Sequence, residues 1–160
     1  MPFDHDEMED AFQRYQDAAN EAGRTGDWKP WVDCFVPELH YIEHLYGEFR
    51  GRDAVRAWIE QTMNEWPFTH MQLFPWDWYT IDAEQGWVVG QLQNRFVDPG
   101  DGGIYQGANW TRLLYAGDGL FSCEEDVYNP ADFAPAVEQW LAAYALHHPD
   151  APRGPGSTTG

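Results

Sequence analysis

The sequence is poor in basic residues, with nine Lys and Arg against 27 Asp and Glu, and its formal net charge is −18. Such a charge repels a phosphate backbone instead of releasing its counterions, so nucleic acid and anionic membranes are unlikely partners on electrostatic grounds. Long apolar runs are also missing, and the acidic start MPFDHDEMED contains no apolar signal-peptide core. We therefore expect a cytoplasmic protein.

Cysteine is scarce as well. Cys34 and Cys123 form no CxxC motif, and each lies in a predicted helix or strand, so we interpret both as small buried hydrophobic side chains. His40 and His44 are four residues apart, but on a strand this spacing separates their Cα atoms by about 13 Å at roughly 3.3 Å per residue. One ion does not bridge that distance, and we predict neither a metal nor a cofactor.

Aromatic residues are what the sequence has in excess: nine Trp, eight Tyr and nine Phe. A small core normally needs fewer large rings, and aromatic walls are common in small-molecule pockets. A chain of 160 residues, 43% of them hydrophobic, is long enough for one compact core. We predict a single domain over residues 1–148, followed by a disordered tail over 149–160 that is rich in Pro, Gly and Ser.

Hydrophobic periodicity predicts the order of helices and strands. Helices are predicted at 7–22, 26–36, 52–66 and behind Asn129, which we expect to cap the last helix with Pro130 at its first position. Gly23 is the expected end of the first helix. A strand at 39–44 and a very short strand precede the third helix, and four strands joined by short turns follow Thr69 as an antiparallel meander. This order predicts an α+β architecture in which a curved antiparallel sheet wraps around the N-terminal helices as a cone with a pocket at its mouth.

A resemblance to a known family is carried by DWKPWVDCFVPELHYIEHLYGEFRGRDAVRAWI. This segment resembles the NTF2-like superfamily, and more closely its SnoaL-like and ketosteroid-isomerase-like branch. The likeness covers residues 7 to about 145, and GRDAVRAWI is its most specific part. The resemblance implies the cone-shaped NTF2-like or cystatin-like α+β barrel, and a hydrophobic small molecule as substrate or ligand.

The same resemblance implies residue roles. In ketosteroid isomerases a Tyr on the first helix donates a hydrogen bond to the substrate oxygen, and a carboxylate three residues before a Gly moves the proton. Tyr15 matches the donor, and His44 stands three residues before Gly47. An approximate alignment puts Thr111 at the second oxyanion donor, with Asn109 two residues earlier on the same face. Because imidazole titrates near neutral pH, His44 is our main acid/base candidate.

Strand alternation predicts which side chains accompany His44. His40 and Ile42 share its face, which we expect to line the pocket, whereas Glu43 turns to solvent. The alternative interpretation is that His44 is a hydrogen-bonded residue of the cavity wall with no part in chemistry.

The last predicted strand holds three acids in the segment CEEDVYN. Asp126 alternates with Glu124 and Tyr128, whereas Glu125 belongs to the opposite set, and only one of these sets lines the pocket. An inward Asp126 would orient His44 or activate a water as a general base. The alternative is a capping or salt-bridge role near Arg112.

Arg112 together with Asp126 also resembles the limonene-epoxide-hydrolase branch, in which an Asp-Arg-Asp array activates water against an epoxide. The segment NWTRLL lacks the second Asp of that array. The complete set of predicted substrate-binding residues is Trp31, Trp58, Phe74, Trp76, Asn109, Thr111, Arg112 and Tyr128. Rings on the outer side of the meander predict a homodimer.

The sequence thus predicts a cofactor-free isomerase, cyclase or dehydratase that acts on a polycyclic, polyketide or terpenoid carbonyl compound. His44 would shuttle the proton and Tyr15 would polarise the oxygen, with Asp126 assisting. Two alternatives stay open: water addition to an epoxide, and a hydrophobic ligand-binding module without catalysis. Convergence of the three side chains on one void would favour the enzyme.

Overall fold

The computed structural model describes residues 2–152. The first half contains helix α1 (His5–Thr25), helix α2 (Lys29–Val32), strand β1 (Phe35–Glu43), strand β2 (Gly47–Arg50) and helix α3 (Arg52–Met63). After a 3-10 turn at Phe68–His70 come β3 (Met71–Leu73), β4 (Trp76–Asp82), β5 (Trp87–Phe96), β6 (Gln106–Gly117), β7 (Leu120–Val127) and α4 (Pro130–His147). The predicted disordered tail lies outside the described residues from position 153 onward.

The strands form one curved sheet in the order β2, β1, β7, β6, β5, β3, and β4 pairs with β5 alongside β3. The α+β class predicted from the sequence is confirmed. All the pairings are antiparallel except that of β1 with β7, which is parallel. The expectation of a purely antiparallel sheet is therefore wrong at this pair. The reason is topological: β2 and α3 carry the chain away from β1, whose second edge is then filled by the last strand running in the same direction.

Two predicted elements have different bounds in the structure. The helix expected over 26–36 ends at Val32, and β1 begins already at Phe35, whose ring is fully buried. The long strand expected after Thr69 is divided into the 3-10 turn, β3 and β4. Pro75 lies at the break, where it lacks the N–H that a continuous ladder needs, while its carbonyl accepts a hydrogen bond of 2.8 Å from the Gln93 N–H.

Helix α1 packs its apolar stripe, including Met8, Phe12 and Tyr15, into the concave side of the sheet. The helix does not end at Gly23 as predicted but at Gly26, which adopts a left-handed φ of 78°. Gly23 is instead a point of close approach, since a Cβ there would lie 2.8 Å from the Gln72 carbonyl oxygen. The predicted stripe is confirmed, and the glycine that stops the helix lies one turn later.

Helix α4 closes a second, smaller core at the β3 and β5 end of the sheet. The Trp140 ring is fully buried and stacks on Phe96 with 4.7 Å between the centroids, and its Nε1 donates to the Val97 carbonyl at 2.8 Å. The predicted cap is confirmed, because the Asn129 side chain accepts a hydrogen bond from the Ala131 N–H. Within residues 2–152, none of the helices is both long and apolar enough to cross a membrane.

The substitution Trp140→Ala should destabilise the protein by about 3–5 kcal/mol, because it leaves a cavity under α4 and an unpaired Val97 carbonyl. The matched control Leu146→Ala, on the same helix but 83% exposed, should change the free energy of unfolding by less than about 0.5 kcal/mol. Urea denaturation of both variants measures the difference. Equal losses would mean that the Trp140 ring does not hold α4 in place.

Candidate functional site

Between the helices and the concave face of the sheet lies a cavity of two adjoining chambers. The outer chamber, about 140 Å³, is lined by Tyr46, Trp58, Phe68, Tyr128 and Phe133 among others. The inner chamber, about 80 Å³, lies nearer α1 and α2 and is lined by Tyr15, Trp28, Trp31, Phe74, Trp76 and Glu124 among others. Side chains common to both chambers form their junction, namely Tyr41, Ile59, Met63, Asn94, Asn109 and Asp126.

Strand β1 faces the cavity with the set of residues opposite to the predicted one. Tyr41 and Glu43 are buried and line the outer chamber. The side chain of His44 is 51% exposed, and its Nε2 lies 2.9 Å from Oε2 of Glu125. The predictions that His44 points into the cavity and that Glu43 faces solvent are therefore wrong.

The error has a local cause. Strand β1 ends at Glu43, so a count of three residues back from Gly47 lands in the turn and not on the strand. The Glu43 carboxylate holds that turn by accepting hydrogen bonds from the backbone N–H groups of Leu45 and Tyr46, at 3.1 and 3.0 Å. The Glu43 side chain lies on the inner face of the sheet, so the next side chain, His44, points outward.

In β7 the set that contains Asp126 lines the cavity. Glu124 is 2% exposed and Asp126 9% exposed, whereas Glu125 lies on the outer face and accepts a 3.0 Å hydrogen bond from Arg112. The sheet register explains this division, since Thr111 stands opposite Asp126 and Arg112 stands opposite Glu125. Arg112 therefore lies outside the cavity, and its predicted roles in substrate binding and in an Asp-Arg-Asp array are wrong.

The two inward carboxyls are held by a network of hydroxyl donors. Tyr15 donates to Oε1 of Glu124 at 2.8 Å, and Thr111 donates to Oδ1 of Asp126 at 2.5 Å. The Tyr41 hydroxyl contacts both groups, Oε1 of Glu124 at 3.3 Å and Oδ2 of Asp126. A hydroxyl carries one proton, so Tyr41 serves one carboxylate at a time. The arrangement therefore favours a proton on one of the two acids.

Electrostatics point the same way. The described residues that line the two chambers include Glu43, Glu124 and Asp126 but no Lys, Arg or His. Burial, with repulsion from Asp126, raises the pKa of Glu124 well above the usual value for a glutamate. Burial also raises the pKa of Asp126, to about 6, against the lowering effect of the hydrogen bonds from Thr111 and Tyr41. Burial therefore favours a pair that keeps one proton over a pair with both carboxyls ionised.

The remaining predicted residues divide by position. Tyr15 and Asp126 lie at the cavity, as do the predicted substrate-binding residues Trp31, Trp58, Phe74, Trp76, Asn109 and Tyr128. Thr111 is buried beneath the cavity surface and acts on Asp126. The sequence analysis missed Tyr41, assigned Glu43 to solvent, and left open whether Glu124 faces the cavity. A signal for the first existed, because Leu39 and Tyr41 are the large apolar members of one alternating set in β1.

Comparisons with known proteins agree with this geometry. A family model described as a SnoaL-like domain matches residues 12–117. No curated protein matches the sequence.

Three solved structures illustrate the fold that the chain shares. An LEH-like epoxide hydrolase from M. tuberculosis is 12% identical, with 89% of this chain and 92% of that chain covered and a TM-score of 0.63. An NTF2-like protein from Anabaena variabilis is 12% identical, with 81% and 94% covered and a TM-score of 0.61. A protein with a ketosteroid isomerase-like fold from Catenulispora acidiphila, in complex with trimethylamine, is 13% identical, with 78% and 92% covered and a TM-score of 0.61.

The substitution Glu124→Gln should stabilise the protein increasingly as the pH rises. The folded protein binds the Glu124 proton more tightly than the unfolded chain does, so this carboxyl's contribution to stability is complete below its unfolded pKa and is lost as the pH rises towards the raised folded pKa. Glutamine does not titrate. We expect a gain of about 1–3 kcal/mol in the free energy of unfolding at pH 8 and no gain near pH 4, measured by urea denaturation.

The matched control is Glu138→Gln, which changes an exposed carboxyl on α4. This variant should keep the pH dependence of the wild-type protein. Parallel stability curves for Glu124→Gln and wild type would contradict a raised pKa at position 124.

Proposed function

The chain belongs to the SnoaL-like domain family of the NTF2-like superfamily, and on this premise we propose that it is an enzyme that moves protons on a small hydrophobic oxygenated compound. The observation that carries the proposal is the Glu124 and Asp126 pair at the meeting point of the two chambers. Isomerases, cyclases and dehydratases need one group to take a proton and another to supply one. Two adjacent carboxyls of different proton affinity meet that need.

The network suggests a division of roles. Asp126 lines both chambers and acts as the base that takes a proton from the substrate. Glu124 acts as the acid, and its Oε1 accepts the tyrosine hydrogen bonds whereas its Oε2 has no partner among the described residues. Tyr15 positions the Glu124 carboxyl instead of polarising the substrate oxygen as the resemblance implied. Tyr41 lies between the two acids and stabilises whichever is ionised.

The size of the cavity supports a smaller substrate than the sequence analysis expected. An engineered cavity of about 150 Å³ binds benzene, so the outer chamber, about 140 Å³, has room for one ring. The inner chamber, about 80 Å³, has room for a smaller group. We therefore propose a carbonyl compound with one or two rings rather than a polycyclic one. The ketosteroid isomerase-like neighbour in complex with trimethylamine is an example of this fold with a small ligand.

A second candidate function is the addition of water to an epoxide. Such chemistry needs one carboxylate to activate water and a second carboxyl to protonate the opening ring. Asp126 and Glu124 supply both without Arg112, and Asn109 offers an amide beside Asp126, with its Nδ2 at 3.2 Å from Oδ1. The neighbour described as an LEH-like epoxide hydrolase has this chemistry within the same fold.

Turnover of a panel of small cyclic ketones, enones and epoxides, followed by product analysis, tests the proposal. The substitution Asp126→Asn keeps the shape but removes the base, so we expect the rate to fall by at least about 100-fold. His44→Ala is the matched control, because His44 lies outside the cavity, and it should keep the wild-type rate.

The products separate the candidates. Rearranged or dehydrated carbonyl compounds indicate the first function, and diols that contain oxygen from labelled water indicate the second. An active Asp126→Asn variant would contradict both functions. Tight binding without chemical change in the wild-type protein would make it a ligand-binding module.

We also propose a homodimer through the outer face of the sheet. Trp78 and Trp110 are 42% and 56% exposed there and pack edge to face with 5.5 Å between their centroids. Arg112 and Glu125 lie beside them, so a copy related by a two-fold axis meets charges of both signs. These features suit a self-complementary interface.

Trp110→Asp should convert the dimer to a monomer, because it removes the largest exposed ring and places two like charges near the two-fold axis. Size-exclusion chromatography with light scattering measures the mass in solution. Leu146→Asp, which places the same charge at an exposed position of α4, should leave the mass unchanged. A monomeric wild-type protein would disprove the interface.

A further inference from the structure

Aromatic rings set at steep angles to one another form the wall of the inner chamber. The rings of Trp28 and Trp31 are 5.4 Å apart with an interplanar angle of 87°, and those of Trp28 and Phe74 are 6.0 Å apart at 68°. Trp31 and Tyr41 are 6.0 Å apart at 62°. All four residues line the inner chamber, so their rings border it from several sides.

The Glu124 carboxyl lies at the inner chamber, and one of its oxygens has no hydrogen-bond partner among the described residues. Glu124 is 2% exposed and lines the inner chamber. Its Oε1 accepts hydrogen bonds from Tyr15 and Tyr41, but its Oε2 has no hydrogen-bond partner among the described residues. A buried polar atom without a partner costs free energy, which a ligand that interacts with it restores.

The charge around this chamber is also uncompensated. Its described lining contains Glu124 and Asp126 but no Lys, Arg or His, and the chain as a whole carries a formal charge of −18. The faces of aromatic rings attract cations, and cages of such rings recognise alkylated ammonium groups. An anionic ligand would be repelled by the two acids. A neutral ligand without a hydrogen-bond donor would gain nothing from their charge.

We propose that the inner chamber binds a small tertiary or quaternary alkylammonium group, with the rings around its methyl groups and the Glu124 and Asp126 pair as its counter-ion. The inference rests on the proposed function and deepens it, because it names a group that the substrate carries beside its reacting part. Asp126 lines both chambers, so a substrate anchored by its ammonium group presents its other end to the base in the outer chamber. The inner chamber, about 80 Å³, limits this group to a few heavy atoms.

The negative charge of the pair makes the binding dependent on pH. The titratable groups around the pair are Tyr15 from α1, Tyr41 and Glu43 from β1, and Tyr128 just after β7, while Glu125 acts on the pair from the outer face of β7. None of these is a base that would hold the pair ionised in acid. Affinity for a cation therefore declines from pH 8 to pH 5, whereas affinity for a neutral molecule of the same shape does not.

The test compares choline with 3,3-dimethylbutan-1-ol, its neutral carbon isostere. Both are titrated into the full-length protein at pH 8 and at pH 5, with isothermal titration calorimetry and tryptophan fluorescence as readouts. At pH 8 we expect choline to bind at least about tenfold more tightly than the isostere. The double substitution Glu124→Gln with Asp126→Asn, which removes both carboxyls of the inner chamber, should abolish that preference while leaving the affinity for the isostere unchanged. Glu125→Gln, on the outer face of the same strand, is the matched control and should preserve the preference.

Several outcomes would overturn the inference: no binding of choline, equal affinity for the two ligands, or a preference that survives the double substitution of Glu124 and Asp126. The last would indicate attraction to the acidic surface and not to the chamber. Turnover of carbonyl compounds by a protein without any preference for choline would remove the inference and leave the proposed function intact. A preference for choline in a protein that turns over none of the panel would support the ammonium site and overturn the proposed function.

Discussion

The burial of two carboxyls side by side without a cation is the constraint on which the rest of this structure depends. Three of their four oxygens accept hydrogen bonds from hydroxyl and amide donors of α1, β1 and β6, and Oε2 of Glu124 has no partner among the described residues. The bond from Tyr15 joins residues 109 positions apart in sequence and ties the first helix to the last strand. Because neutral donors compensate a negative charge less completely than a cation does, the pair keeps a raised proton affinity.

The parallel pairing of β1 with β7 makes that network possible. Its register sets Tyr41 opposite Glu124 and Glu43 opposite Asp126, so two β1 side chains meet the acids of the neighbouring strand inside the cone. A slip of one residue would send both sets to the other face. The outer face of the same strands carries the residues that have opposite charges close at hand, with Glu125 accepting from Arg112 and lying beside His44. The outer face of this part of the sheet thus carries the ion pairs, and the inner face carries the buried acids.

The aromatic residues have two different tasks. Around Trp140 the rings pack against one another and against the ring of His70, and they hold α4 on the sheet. Around the inner chamber, Trp28 and Trp31 meet at right angles and border a carboxyl pair. An apolar surrounding raises the energy of ionised carboxyls. The rings that shape the chamber therefore also raise the proton affinity of Glu124 and Asp126. Shape and acidity are therefore coupled, and both follow from the excess of large side chains.

The sequence by itself indicated the family through the resemblance of residues 27–59. It also determined the α+β class, the buried stripe of α1 that includes Tyr15, and the Asn129 cap, because these depend on local periodicity and on short-range hydrogen bonds. The sequence left open whether Glu124 and Asp126 or Glu125 of β7 faces the cavity. It also predicted the wrong cavity-facing set in β1. Alternation divides a strand into two sets, but only the partner strands decide which set is buried, and here the β1 pairing contains a register shift between Phe35 and His40. The protonation of Glu124 and Asp126 was likewise decided by the tertiary structure, since desolvation is the work of neighbours that are distant in sequence.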